Sequence, residues 1–146
     1  MNANAQMARF ARDAAEMVRA EYGHELDFSE PTIGAVEALL NGFWQDAEKS
    51  DELFRKVALL FGSYIGEMIR THYPQATWSG GSLTPDAPPP SLHVGEIELS
   101  PIVWCFKRLY NGPGDSVVNK YLAFRQAVTE GGQDAEPGAA AGRPRE

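Results

Sequence analysis

The sequence is poor in cysteine and has no long apolar run, and each absence argues against a class of protein. Cys105 is the single cysteine in 146 residues, so no internal disulfide can form, and a reducing compartment suits the chain. No apolar run approaches the roughly 18 residues of a membrane span. Residues 1–10 lack the apolar core of a secretory signal. We therefore expect a cytoplasmic protein without a membrane partner.

The sequence also has fewer positively than negatively charged residues. The chain has 13 Lys and Arg residues against 20 Asp and Glu residues, and its formal net charge is −7. This excess of negative charge disfavours unspecific binding to nucleic acid, so we expect no nucleic-acid partner. The length of 146 residues is that of one domain with a core of its own.

The usual signatures of metal and nucleophile chemistry are missing as well. The sequence contains three histidines, His24, His72 and His93. No pair among these histidines and the cysteine has the spacing of metal ligands. Gly80-Gly81 lacks the lysine and following helix of a phosphate-binding loop and predicts a turn. Cys105 lies between Trp104 and Phe106, which favours a buried, inert thiol. We predict no metal, no cofactor and no catalytic residue, and we favour a protein that is not an enzyme.

The spacing of apolar residues predicts five helices, of which the first two are bounded by clear signals. The first covers residues 1–22, and Gly23 ends it because a left-handed cap position prefers glycine. The second begins at Ser29, the predicted N-cap, with Glu30 and Pro31 in its first turn, and ends near Trp44. Its apolar face consists of Ile33, Val36, Leu39, Leu40 and Phe43.

The third helix is the most informative part of the chain. Ser50 is its predicted N-cap, and it ends before Pro74. A broad apolar stripe predicts that this helix is central: Leu53, Val57, Leu60, Phe61, Tyr64, Ile65 and Met68. Gly62 and Gly66 each lower helix stability by about 1 kcal/mol relative to alanine. We expect the close approach of a neighbouring segment to this face to offset that cost.

After Pro74 the pattern predicts a small sheet. Residues 76–78 form one short strand, and prolines 85, 88, 89 and 90 an extended loop. Residues 91–99 read as a second strand whose apolar residues change face at Gly95, which predicts a bulge there. The simplest topology is a two-stranded antiparallel hairpin packed on the central helix.

Two more helices complete the α+β fold. Pro101 starts the fourth, whose buried side is Ile102, Val103, Phe106, Leu109 and Tyr110. Asp115 is the predicted N-cap of the fifth, after the break at residues 111–114. We divide the chain into an N-terminal helix at residues 1–24, a single globular domain at 25–130 and a disordered tail at 131–146.

One polar group of residues stands out as a candidate site. Its members are Glu67, Arg70, His72 and Trp78, with Lys107 or Arg108 as further candidates and Tyr64 one turn before the glutamate. Glu67 borders the apolar stripe, where a half-buried carboxylate either finds a cation or titrates high. One interpretation is a structural ion pair or a hydrogen bond to the hairpin backbone. The other is a ligand-binding pocket formed by Glu67, Arg70, Trp78 and Tyr64 over the two glycines.

These segments together resemble a group of small bacterial domains of unknown function. The resemblance rests on Leu26-Asp27-Phe28-Ser29 before a helix, the helix at residues 62–67, Thr77-Trp78 after it, and residues 107–112, Lys-Arg-Leu-Tyr-Asn-Gly. It covers residues 25–125. It implies an α+β fold and a bacterial source, and it brings no established activity or catalytic residue with it.

Two functions remain open from the sequence. The first is a non-enzymatic cytoplasmic binding module, of an accessory or immunity type, that docks to a protein partner. The second is a small hydrolase or transferase with Glu67 as general base, assisted by Arg70 or His72. The first expects Glu67 to be covered or paired, and the second expects it in an open cleft. A homodimer through the first helix is a further hypothesis.

Overall fold

The fold is α+β and mostly helical, as the sequence predicts. The computed structural model describes residues 3–46, 50–84 and 87–134. The helices are α1 (Ala3–Tyr22), α2 (Thr32–Gln45), α3 (Asp51–His72), α4 (Pro101–Asn111) and α5 (Val117–Asp134). The strands are β1 (Thr77–Ser79), β2 (Ser91–Val94) and β3 (Ile97–Leu99), in the antiparallel order β1-β2-β3. The backbone of α5 is helical to Asp134, four residues into the predicted tail, and residues 135–146 lie outside the described part.

Helix α1 belongs to the same core as the rest of the domain. Its buried residues, Met7, Ala11, Ala14 and Val18, join the core cluster that α3 also lines. The side-chain oxygen of Asn4 accepts the backbone N–H of Trp78 at 2.8 Å, which ties α1 to β1 at the edge of the sheet. Gly23 ends the helix with a φ of 71°, as predicted.

The predicted N-cap of α2 is wrong. The hydroxyl of Ser29 donates to the carboxylate of Asp27 at 2.6 Å, and the backbone N–H of Ser29 donates to the same oxygen. An aspartate two residues earlier closes this local turn and takes the hydroxyl away from the helix. The backbone carbonyl of Ser29 instead accepts the N–H of Thr32, three residues later, and the helix starts at Thr32.

Helix α3 is central, and Ser50 caps it by accepting the N–H of Leu53. One residue of the predicted apolar stripe is wrong, since Leu53 is 38% exposed and Phe54 is buried instead. Successive helix positions differ by about 100°. Phe54 therefore shares a face with Ala58 and Phe61, whereas Leu53 lies to one side.

The expected close approach at the two glycines is confirmed, with a different neighbour at each. A methyl group on Gly62 would lie 2.5 Å from the Cα of Ile102, so the backbone of α4 rests on α3 there. A methyl group on Gly66 would lie 2.0 Å from the Trp78 ring, so the indole covers that turn. Both glycines are buried, and each makes room for a segment that any side chain would displace.

The bulge predicted at Gly95 is wrong, because the segment forms two strands. Val94 pairs with Ile97 across a two-residue turn, and Leu92 pairs with Leu99. Gly95 has a φ of 61°, which suits the first central position of a tight hairpin turn. The turn itself reverses the chain, so the apolar residues on either side of it share one face without a bulge.

The start of α5 also differs from the prediction. Asp115 lies in a short 3₁₀ turn (Pro113–Asp115), and its carboxylate accepts from Asn111 at 2.7 Å and Lys120 at 3.1 Å. Ser116 is the residue whose hydroxyl accepts a helix N–H, that of Asn119. Proline and glycine at 113 and 114 add one turn before the helix, which moves the cap by one residue.

Helix α4 lies antiparallel to the first half of α3. Its first turn meets Gly62, and Tyr110 in its last turn donates a hydrogen bond to Asp51. Contrary to the prediction, Tyr110 is 40% exposed, and the buried positions are Pro101, Ile102, Cys105, Arg108 and Leu109.

Candidate functional site

The structure brings Glu67, Arg70 and Trp78 into one cluster. Arg70 Nη1 donates to both carboxylate oxygens of Glu67 at 3.0 Å, and the Trp78 indole N–H donates to one of them at 2.7 Å. Arg70 Nε also donates to the carbonyl of Ala76, just before β1. Side-chain exposure is 13% for Glu67 and 25% for Arg70. The cluster therefore fastens the start of the sheet to α3.

The other candidates lie elsewhere. Tyr64 is buried, and its hydroxyl accepts the backbone N–H of Phe28 at 2.7 Å and contacts Thr32 at 2.8 Å. The His72 ring lies 3.3 Å from the carbonyl of Phe28. Glu67 is thus paired with a cation and an indole, which is the arrangement expected of a structural carboxylate.

We expect Glu67→Gln to lower the free energy of unfolding by about 1–2 kcal/mol. The amide can still accept from Trp78, but its NH₂ group would face the Arg70 guanidinium, donor against donor. Chemical denaturation of the two proteins measures the difference.

Glu98→Gln provides the matched control for this change. Glu98 lies exposed on β3, so the same substitution should change the stability by no more than about 0.5 kcal/mol. Equal stability of wild type and Glu67→Gln would show that the Glu67 cluster does not hold the sheet.

A second polar centre, buried between α2, α4 and α5, was missed by the sequence reasoning. Arg108 is 2% exposed, donates to the carboxylate of Glu37 and donates to Asn41 Oδ1 at 2.6 Å. Its guanidinium also lies 5.7 Å from the centre of the Trp44 ring. The other oxygen of Glu37 accepts from the Ser116 hydroxyl and the Val118 N–H. One ion pair thus joins three helices.

The titration of Glu37 reflects these contacts. Burial alone raises the pKa of Glu37, but the hydrogen bonds from Arg108, Val118 and Ser116 outweigh it, so the pKa lies below its ordinary value. The i, i+4 spacing of Glu37 and Asn41 beside Ile33 and Leu40 is the sequence signal that polar groups border this core face. Arg108, in contrast, looks like an ordinary cation in the last turn of a helix.

An apolar cavity of about 420 Å³ lies between α3, α4 and the loop residues 82–84 and 87–89. Its apolar lining consists of Ala58, Leu59, Leu83, Ala87, Pro89, Ile102, Val103 and Phe106. This volume is within the range of small-molecule sites. The members of the Glu67 cluster do not line it.

The loop that covers this cavity is closed at its base. The backbone N–H of Ser82 donates to the carbonyl of Pro88 at 2.8 Å. Gly81 has a φ of 63°, and a methyl group there would lie 2.3 Å from the backbone of Pro89. Within the loop, the Ser82 hydroxyl contacts that of Thr84 at 3.1 Å. These contacts hold Leu83, Ala87 and Pro89 over the cavity.

Three charged residues of α3 stand at the cavity wall: Glu52, Arg55 and Lys56. All three are exposed. Across the described ranges, neither the Arg55 nor the Lys56 side chain forms a hydrogen bond or an ion pair with another residue. The cavity thus combines an apolar interior with two cations that have no ion-pair partner among these residues.

The cysteine and the potential metal ligands offer no further site among the described residues. Cys105 is fully buried, and burial raises the pKa of its thiol far above the ordinary value. No cluster of three or more His, Cys, Asp or Glu residues suited to a metal ion occurs within 3–46, 50–84 and 87–134. In the same ranges, no helix has the length and apolar character needed to cross a bilayer.

Comparison with known proteins assigns neither a family nor a function to this chain. No protein-family model, curated protein or solved structure matches this chain. The resemblance to small bacterial domains therefore stays a prediction.

Proposed function

We propose that the protein is a non-enzymatic binding module whose ligand site is the cavity between α3, α4 and the loop residues 82–84 and 87–89. The observation that carries the proposal is a 420 Å³ apolar interior beside the cations Arg55 and Lys56, which have no ion-pair partner in the part of the chain that the structure describes. Binding sites of this kind use apolar walls for affinity and a few polar groups for orientation.

The cavity lining supports binding more than catalysis. Its hydroxyl groups belong to Ser82 and Thr84, which contact each other. Neither hydroxyl bonds to an imidazole or carboxylate among the described residues, as an activated nucleophile would. Glu52, the one carboxylate among the described wall residues, is exposed. Glu67, the general base of the alternative hypothesis, has its oxygens occupied by Arg70 and Trp78.

We also propose a cytoplasmic location, which the single buried thiol of Cys105 supports. The protein partner and the homodimer expected from the sequence stay predictions. A partner protein that uses this site would have to insert an apolar side chain between Leu59 and Phe106, both of which line the cavity.

Filling the cavity tests the proposed function. Val103 lines it from α4 and is partly exposed, so Val103→Trp should occupy the space and leave the core intact. The protein is incubated with a bacterial cytosolic small-molecule extract, desalted and examined by native mass spectrometry. We expect wild type to retain a bound molecule and Val103→Trp to lose it.

Leu122→Trp is the control, because Leu122 is 48% exposed on α5 and does not line the cavity. It should retain the same molecule as wild type. Equal retention by Val103→Trp and wild type would contradict the proposed site.

A further inference from the structure

We propose that the cavity takes a single-chain amphipathic carboxylate, with the apolar chain inside and the carboxylate at Arg55 and Lys56. This inference rests on the proposed function and names the class of ligand. It concerns the charge of the ligand, whereas the proposed function concerns only the place where a ligand binds.

The apolar chain is expected from the interior of the cavity. The cavity is lined by Ala58 and Leu59 from α3, Val103 and Phe106 from α4, and Leu83 from the loop. The described lining holds no buried charged or amide side chain that could receive a polar group in the interior. A polar group placed there would lose its hydrogen bonds to water without replacement. The part of the ligand that enters is therefore a hydrocarbon.

The carboxylate is expected from the charges on α3. Glu52, Arg55, Lys56 and Leu59 follow at helical spacing along one face. Among the described residues, the wall therefore carries two cations and one acid. The protein as a whole has a formal net charge of −7, which on average favours cationic ligands over anionic ones. A preference for an anion would thus be a property of this site and not of the whole molecule.

A short series of amphiphiles with one chain and different head groups tests this inference. Dodecanoate and dodecyltrimethylammonium are titrated into the full chain below their micellar concentrations, dodecanol is titrated below its solubility limit, and binding is measured by calorimetry. We expect dodecanoate to bind several-fold more tightly than dodecanol, and the cation to bind most weakly.

Charge variants at the wall identify the responsible residues. Arg55→Gln with Lys56→Gln should weaken dodecanoate binding about 3- to 10-fold at low salt and leave dodecanol unchanged, because exposed charge pairs contribute modestly. Glu52→Gln, the matched control, should strengthen dodecanoate binding about 2-fold. Both effects should shrink at high salt, since these charges are exposed to solvent. Val103→Trp should abolish the binding of all three compounds.

The outcomes separate the inference from the proposed function. Equal binding of the three compounds, or a preference for the cation, together with loss in Val103→Trp, would overturn the carboxylate and leave the site in place. No binding of any compound to wild type would overturn the inference, and the extract experiment with Val103→Trp would still decide the proposed function. Dodecanoate binding that survives Val103→Trp would place the anion elsewhere and overturn the inference.

Discussion

Gly62→Leu is expected to lower the free energy of unfolding by about 3 kcal/mol. A Cβ atom at this position would lie 2.5 Å from the Cα and 2.7 Å from the N of Ile102. These are backbone atoms at the start of α4, which cannot rotate away as a side chain can. The gain of about 1 kcal/mol in helix propensity is smaller than the cost of pushing two helices apart. Urea denaturation measures the net effect.

Gly34 offers the matched control within a helix. It lies exposed in α2, and a Cβ atom there would meet nothing within 4 Å. Gly34→Ala should therefore raise the stability by up to about 1 kcal/mol, whereas Gly62→Ala should lower it. A Gly62→Leu protein as stable as wild type would show that the close contact between α3 and α4 does not exist in solution.

Arg108→Met is expected to destabilise the protein by about 3 kcal/mol, the lower end of the range for breaking a buried ion pair. Methionine keeps the length of the side chain but leaves the Glu37 carboxylate without its cation. Glu37 is 20% exposed, and Ser116 and Val118 still donate to it, which limits the loss.

Arg125→Met is the control, since Arg125 pairs with Glu30 at 3.6 Å and is 48% exposed. It should cost less than about 1 kcal/mol.

The pH dependence of Arg108→Met provides a second readout. The lowered pKa of Glu37 in the folded protein means that its contribution is complete above the ordinary glutamate pKa of about 4.3. It is lost as the pH falls through the lowered folded value. In Arg108→Met, burial should dominate and raise the pKa of Glu37, so its contribution to stability should increase on acidification. If the free energy of unfolding of the variant depends on acidic pH as that of wild type does, Arg108 does not control the pKa of Glu37.

The elements that the sequence predicted well are those set by local physics. Helix α3 combines a wide apolar stripe with an N-cap at Ser50, and both features act within a few residues of each other. Gly62 and Gly66 also predicted a contact with a distant segment. Glycine lowers helix stability, so two glycines in one helix indicate that a neighbour lies close to them. Which neighbour lies at each glycine, Ile102 or Trp78, depends on the fold of the whole chain.

The predictions of two N-caps and of one bulge were wrong because the same local sequence fits two conformations. Ser29 and Asp115 are both good N-caps in isolation, but Asp27 occupies the hydroxyl of the first, and a 3₁₀ turn places Ser116 ahead of the second. For Gly95, a bulge and a tight turn both explain a change of face in the apolar pattern, and strand pairing decides between them.

The candidate site was predicted only in part. Glu67, Arg70 and Trp78 do come together, because the first two are three residues apart on one helix and the third follows shortly after it. Tyr64 points to another side of α3, where Phe28 binds it. The cavity was not foreseen, because it arises from the distance between α3 and α4 and from the loop over them, neither of which a single segment encodes.

Ile102 takes part both in the close contact between α4 and Gly62 of α3 and in the lining of the cavity. The wall that a ligand meets is therefore held by a backbone contact that already exists before binding. A preorganised wall requires little loss of conformational entropy when a ligand arrives, so more of the contact energy appears as affinity. By this reasoning, Gly62, which no ligand would touch, sets how tightly the cavity can hold one.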